Sequence, residues 1–157
     1  MYAITTQKRG ENVTKLTNSI EIRISPEKVF TWITDINNLN VASKGFAEFT
    51  STSKGPFGLG TTLHSVIIAM GHKSEWNSEV TEFVKNRKYA LSAVEANKIK
   101  MQNTYTFEPI AEGTKVTIDT EYELSSRLYR LFDANIRKAI EKGTNDTLEN
   151  TKKALET

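Results

Sequence analysis

Between Met101 and Leu124 the chain alternates apolar and polar residues closely enough to constrain the fold more than any other stretch. Met101, Tyr105 and Phe107 alternate with Gln102, Thr104 and Thr106. Past Pro109 and Gly113, Val116, Ile118, Tyr122 and Leu124 alternate with Thr117, Asp119, Glu121 and Glu123. A period of two places successive side chains on opposite faces, so each run is a strand with one dry face and one wet face. Two such runs joined by Pro and Gly in "EPIAEGT" make an antiparallel hairpin. A sheet of this kind needs a cover on its dry face.

Residues Ser125 to Glu156 supply that cover as one long amphipathic helix. At about 100° per residue, Leu128, Phe132, Ile136, Ala139, Ile140, Gly143 and Thr147 fall on one face, with Arg130, Lys138, Glu141 and Glu149 away from its centre. A helix of ~31 residues runs ~46 Å against ~33 Å for a ten-residue strand, so it crosses the whole sheet or bends near Gly143. Its dry face narrows to Ala139 and Gly143, where a helix packed for stability alone carries larger residues. The gap is read as room for a ligand.

Upstream, Ile20, Ile22 and Ile24 alternate with Ser19, Glu21 and Arg23 in a half-buried strand starting at Leu16. "SPEKVF" then starts a helix, with Ser25 at the N-cap and Pro26 at the first helical position. It ends at "DINNLN", and a second short helix fits Asn37 to Lys44. Further strands are expected over Phe46 to Ser53 and Thr61 to Met70, then, after a turn at Gly71 and His72, one ending near Val84, and another over Tyr89 to Val94. Met1 to Lys15 is a loose arm or an extra edge strand. The whole chain, 1–157, reads as one domain.

A chain of 157 residues buries roughly 70% of its unfolded surface without crosslinks. Its net charge of +2, with Lys and Arg dispersed, does not make a nucleic-acid surface. Zero cysteines excludes disulfides, thiolate metal sites and a cysteine nucleophile. No apolar run approaches the ~18 residues of a membrane span, and "MYAITTQKRGENVTK" lacks the apolar stretch of a secretory signal. The expected location is cytoplasmic, with no stable membrane insertion.

The segments "SIEIRISPEKVFTWITDINNL", "GPFGLGTTLH", "EWNSEVTEF" and "TYTFEPIAEGTKVTIDTEYEL", running into the last helix, resemble the START-like or SRPBCC superfamily, in its polyketide cyclase/dehydrase and lipid-transport-like branch. The resemblance covers about Leu16 to Leu155. It implies an α+β helix-grip fold: a curved seven-stranded antiparallel sheet around a long C-terminal helix, one or two short helices after the first strand, and a cavity for apolar small molecules. Many relatives carry a tryptophan near the end of the short second helix, whereas "NLNVASKGF" has no aromatic before Phe46.

Site candidates follow from the faces. Asn103 and Thr120 interrupt apolar faces, and a buried polar group without a partner costs on the order of 1–3 kcal/mol. They are bonded among themselves, with Tyr105 or Tyr122 or with water, or they anchor a ligand. The expected cavity comprises Phe57, Tyr89, Leu91, Met101, Asn103, Tyr105, Ile118, Thr120, Tyr122, Phe132, Ile136, Ala139, Ile140 and Gly143. No catalytic residue is assigned; His64, Tyr105 and Glu82 are the candidate acids or bases. For Glu82, one register of its strand turns it inward and the other turns Glu79 and Phe83 inward. The loop with Gly55, Gly58 and Gly60 fits neither GxGxxG nor GK[ST], so it reads as a strand connection. Two histidines without HxH or HExxH spacing give no metal site, and no cofactor is expected. The favoured reading is binding of a lipid, quinone or polyketide-like ring. The alternatives are a cyclase/dehydratase-type enzyme using the same cavity and a protein-interaction module of the chaperone-activator type.

Overall fold

The computed structural model describes residues 4–7, by backbone alone, together with 12–96 and 98–157. Strands β2 (Val13–Ile22), β3 (Ala47–Ser51), β4 (Thr62–Ala69), β5 (His72–Val84), β6 (Lys88–Glu95), β7 (Ile99–Ile110) and β8 (Gly113–Leu124) form the antiparallel sheet. A short strand β1 (Ile4–Gln7) pairs with β2, so the extra edge strand expected near the N-terminus exists. The order is β1-β2-β8-β7-β6-β5-β4-β3. Residues 1–3 and 8–11 of the expected arm lie outside the described residues.

Helices α1 (Pro26–Ile33) and α2 (Ile36–Ala42) follow β2. Ser25 stands at the α1 N-cap with extended backbone but caps nothing with its side chain, whereas Asp35 accepts the Asn37 N–H at 2.8 Å at the start of α2. The β7–β8 turn is tight because Gly113, at φ +146°, lies against β2. A Cβ there would collide with the Ile22 carbonyl oxygen, so only glycine fits.

Two expectations are corrected here. The C-terminal helix is two helices, α3 (Arg127–Leu131) and α4 (Asp133–Leu155), broken at Phe132 and not bent at Gly143. The break shifts the helical phase, so Leu128, Leu131 and Phe132 are exposed at 61%, 80% and 51%, while Leu148 and Thr151 are the buried residues of α4. The register of β5 is neither of the two alternatives, because a bulge between Val80 and Glu82 inserts an extra residue. Val80 and Phe83 both face the core, and Glu82 turns outward to Lys88 at 3.0 Å.

The C-terminal half of α4 is pinned along its length. Asn145 accepts from Asn18 at 2.6 Å, Asn150 donates to the Ala42 carbonyl at 2.8 Å, Lys152 donates to the Glu21 carbonyl at 2.6 Å, and Glu156 accepts the Arg23 N–H at 2.8 Å. In the N-terminal half the Tyr122 hydroxyl of β8 donates to the Asp133 carboxylate at 2.7 Å.

Candidate ligand site between the sheet and the C-terminal helix

The inner face of the sheet carries two apolar clusters divided by a polar belt. The first is built on Ile22, Val29, Phe30, Ile33, Leu63, Val80, Tyr89, Leu91, Phe107, Val116, Ile118 and Leu148, all 8% exposed or less. Phe30 from α1 is its centre, edge-on to Phe107 at 5.1 Å and Phe83 at 5.3 Å. Tyr89 stacks on Tyr105 at 4.4 Å. The glycine-containing loop returns Phe57 onto Tyr89 at 5.5 Å, a packing role in keeping with a strand connection.

The second cluster has five buried residues, Leu16, Trp76, Ile99, Tyr122 and Leu124. Six partly buried ones pack on it: Ile67, Ala93, Met101, Tyr129, Ile136 and Ile140. This end has fewer fully buried residues than the first.

On five strands the inner face passes from one cluster to the other through a single polar residue: Asn18 on β2, Ser65 on β4, Ser78 on β5, Asn103 on β7 and Thr120 on β8. Thr120 donates to Asn103 at 2.8 Å and Asn18 donates to Asn145, so part of the belt satisfies itself. The Asn18 Oδ1 has no partner. Asn103 and Thr120 were legible as polar interruptions; Asn18, Ser65 and Ser78 carry the same signal and were missed.

Beyond the belt lie further polar groups. Glu95 is 8% exposed on the inner face of β6, and its Oε2 has no partner. It is opposite Ile99, and the pairing of Asn77 with Val94 sets Trp76 across from it on the other side. Tyr122 donates to Asp133, whose other oxygen lies 3.6 Å from Arg137; the Arg137 Nε is buried without a partner. Burial and then the Asp133 hydrogen bond push the Tyr122 hydroxyl up to about 12, against a bond from Thr14 that favours its ionised form. Glu95, Asp133 and Arg137 were not among the sequence candidates. Glu95 continues the inward alternation of Tyr89, Leu91 and Ala93, the signal that was available.

A small gap is found inside the molecule, apart from most of the expected cavity residues. A gap of about 10 Å³ lies between α1, α2 and the C-terminal half of α4, lined by Trp32, Ile33, Leu39, Ala42, Tyr105, Thr147, Leu148 and Thr151. That is room for about one water, against roughly 300–1,000 Å³ for a small-molecule pocket. Of the fourteen expected cavity residues, Tyr105 alone borders it. Tyr89, Leu91 and Ile118 are filled into the first cluster with Phe57 against it; Met101, Tyr122, Ile136 and Ile140 belong to the second; Asn103 and Thr120 to the belt. Phe132 is exposed. Ala139 is half-buried, and Gly143 faces the Phe46 ring, which a Cβ would meet at 3.7 Å. The narrowing at Gly143 therefore accommodates Phe46.

None of the candidate acids and bases is set to move a proton in the interior. His64 is on the outer face, 3.5 Å from Glu75, and Glu82 pairs with Lys88 outside. Tyr105 is inside, but burial raises its hydroxyl above the ordinary tyrosine value despite a hydrogen bond from Tyr89. Among the described residues no group of three or more His, Asp or Glu is placed to hold a metal ion, and no helix is long and apolar enough to cross a membrane.

The family described as "Polyketide cyclase / dehydrase and lipid transport" matches residues 13–156. The chain belongs to this family. Its fold is shared with the TTHA0849 protein of Thermus thermophilus, at 21% identity and TM-score 0.78 over 90% of this chain and 96% of that one. The Zhui aromatase/cyclase of Streptomyces sp. R1128 has the same TM-score at 10% identity, over 92% and 94%. Ara h 8.0201 matches with TM-score 0.72 at 13% identity, over 91% and 97%. No curated protein matches at a significant level. The START-like fold read from the sequence is thereby established, with family and architecture fitting a hydrophobic-ligand-binding or cyclase-like protein.

Proposed function

We propose that this protein binds an amphipathic small molecule of the lipid, quinone or polyketide-like kind in its second cluster. The apolar part of the ligand lies on Trp76, Met101, Ile136 and Ile140, and its polar part meets the belt and Glu95. The observation that carries this reading is Glu95, a buried carboxylate with an unpartnered oxygen beside Trp76 and Ile99. An interior optimised for stability alone does not keep such a group, since an unpartnered buried polar atom costs about 1–3 kcal/mol.

The closed interior must open to admit a ligand, and its weakest seam is α3 with the N-terminal half of α4. Neither contributes a residue to the fully buried core. Segments with few buried apolar contacts open at the lowest local free-energy cost. Catalysis is not favoured by His64, Glu82 or Tyr105 as placed.

The experiment is thermal unfolding against fatty acids, long-chain alcohols, alkylamines, quinones and aromatic polyketides, repeated with Ala93→Leu to fill the second cluster. At least one class should raise Tm, by the equivalent of about 2.7 kcal/mol at a hundredfold excess over Kd, and Ala93→Leu should abolish the rise while remaining folded. No rise with any class, or an undiminished rise in folded Ala93→Leu, contradicts the reading.

A further inference from the structure

Eight large hydrophobic side chains are exposed among the described residues: Val41, Leu59, Ile68, Met70, Val84, Leu128, Leu131 and Phe132. Five of them, Ile68, Met70, Leu128, Leu131 and Phe132, belong to one end of the molecule. Ile68 and Met70 are at the β4–β5 hairpin, and the others are on α3 and its junction with α4. The two segments meet at this end because Ile67 and Trp76 of the hairpin strands share the second cluster with Tyr129 of α3 and Ile136 of α4. The β6–β7 turn is tied to the same place by Ser125, whose N–H donates to the Lys98 carbonyl at 2.9 Å. Leu59 and Val84 lie at the opposite end, with the β3–β4 and β5–β6 connections.

Lys73, Lys98, Lys100, Arg127 and Arg130 are exposed at this end, where the exposed carboxylates are the fewer, Glu48, Glu75 and Glu123. Lys98 lies over the Tyr129 ring at 5.4 Å, and Arg130 Nε donates to the Leu124 carbonyl at 3.0 Å, so two of these cations are held beside the patch. Exposed Leu and Phe flanked by fixed cations are the composition that seats on an interface with an apolar interior and a negative surface.

We propose that this end docks reversibly on an anionic lipid bilayer, with Leu128, Leu131 and Phe132 entering the headgroup boundary and the cations meeting lipid phosphates. Neither charge nor apolar insertion alone holds a protein on a membrane, but the two together do. Docking here would present the α3 seam to the bilayer. The inference stands apart from the ligand reading, because vesicle binding is measured with no cavity ligand.

The test is cosedimentation of the full chain with vesicles of phosphatidylcholine alone, and of phosphatidylcholine with about 30 mol% phosphatidylglycerol. Partitioning should be roughly tenfold or more stronger on the anionic vesicles and should fall as salt rises from about 0.05 to 0.5 M. Leu131→Asp and Arg127→Glu, both exposed and compatible with folding, should each lower it roughly tenfold. Leu59→Asp, at the opposite end, should leave it unchanged. Absence of wild-type binding to anionic vesicles, or equal losses for Leu131→Asp and Leu59→Asp, would overturn the proposal. So would self-association that Leu131→Asp disrupts while vesicles go unbound, which would assign the face to a second copy of the chain.

Discussion

The same strands build both halves of the interior, yet the two differ in how deeply they are buried and how the C-terminal helix is held over them. On the Phe30 side, aromatic rings meet edge-on, α1 buries Val29, Phe30 and Ile33 in the core, and hydrogen bonds at Asn145, Asn150, Lys152 and Glu156 hold the helix down. On the Trp76 side, the covering helix is broken at Phe132 and the Tyr122 hydroxyl donates to Asp133; buried atoms without a partner occur on both sides, at Glu95 and Arg137 here and at Asn86 in the β5–β6 turn. The first half carries most of the fully buried core, and the polar belt marks the boundary between the two.

Truncation should expose that asymmetry most strongly. Phe30→Ala removes the centre of the aromatic group and should cost ~3–5 kcal/mol in urea unfolding, whereas Ile136→Ala in the second half should cost no more than ~1.5 kcal/mol. Equal losses would erase the distinction between the halves. Next in size is Glu95→Leu, which replaces an unpartnered carboxylate with an apolar side chain. It should raise stability by about 1–3 kcal/mol and remove any ligand-dependent gain in Tm. A loss of stability would mean that the carboxylate is satisfied in solution.

A smaller effect is expected at alkaline pH. The Tyr122 hydroxyl titrates near 12 when folded and near 10 when unfolded, so the folded state holds the proton more tightly. Its contribution is complete below about pH 10 and is lost as pH rises through about 12. It is on the order of 1–2 kcal/mol. Tyr122→Phe should flatten the decline in stability across that window, and an unchanged slope would detach Tyr122 from it. Smallest of all, Gly143→Ala should raise Tm by the equivalent of about 0.5–1 kcal/mol, since a helix-interior glycine is replaced and the new methyl rests on Phe46 in ordinary contact. Destabilisation would show that the Phe46 ring cannot accommodate it.

The alternation of β7 and β8 was legible to the residue, because one apolar face against one wet face leaves a single register. The phase of the last helix was not. Counting from Leu128 and Phe132 carried it across a break that no proline or glycine marks, and so pointed Gly143 toward the sheet. Leu148, Thr151 and Leu155 at the far end give the phase correctly. The β5 bulge hid for a similar reason, since two periods of two joined by one extra residue look like an ambiguous register until Val80 and Phe83 are both seen inside. Asn103 and Thr120 were readable as polar residues on dry faces. Their role as one level of a belt also needs Asn18, Ser65 and Ser78 from strands distant in sequence, and strand order is what brings these together. Cavity size was not legible at all, because it depends on how far Phe57, Tyr105 and Leu148 pack inward.

Each half holds one of the chain's two tryptophans, Trp32 packed against the first cluster and Trp76 in the second. Fluorescence of Trp32→Phe and Trp76→Phe during titration with whichever amphiphile raises Tm therefore tests the central claim most directly. The account predicts a saturable change in emission when Trp76 alone remains and little change when Trp32 alone remains. A response from Trp32 with Trp76 silent would place the ligand in the first half and contradict it.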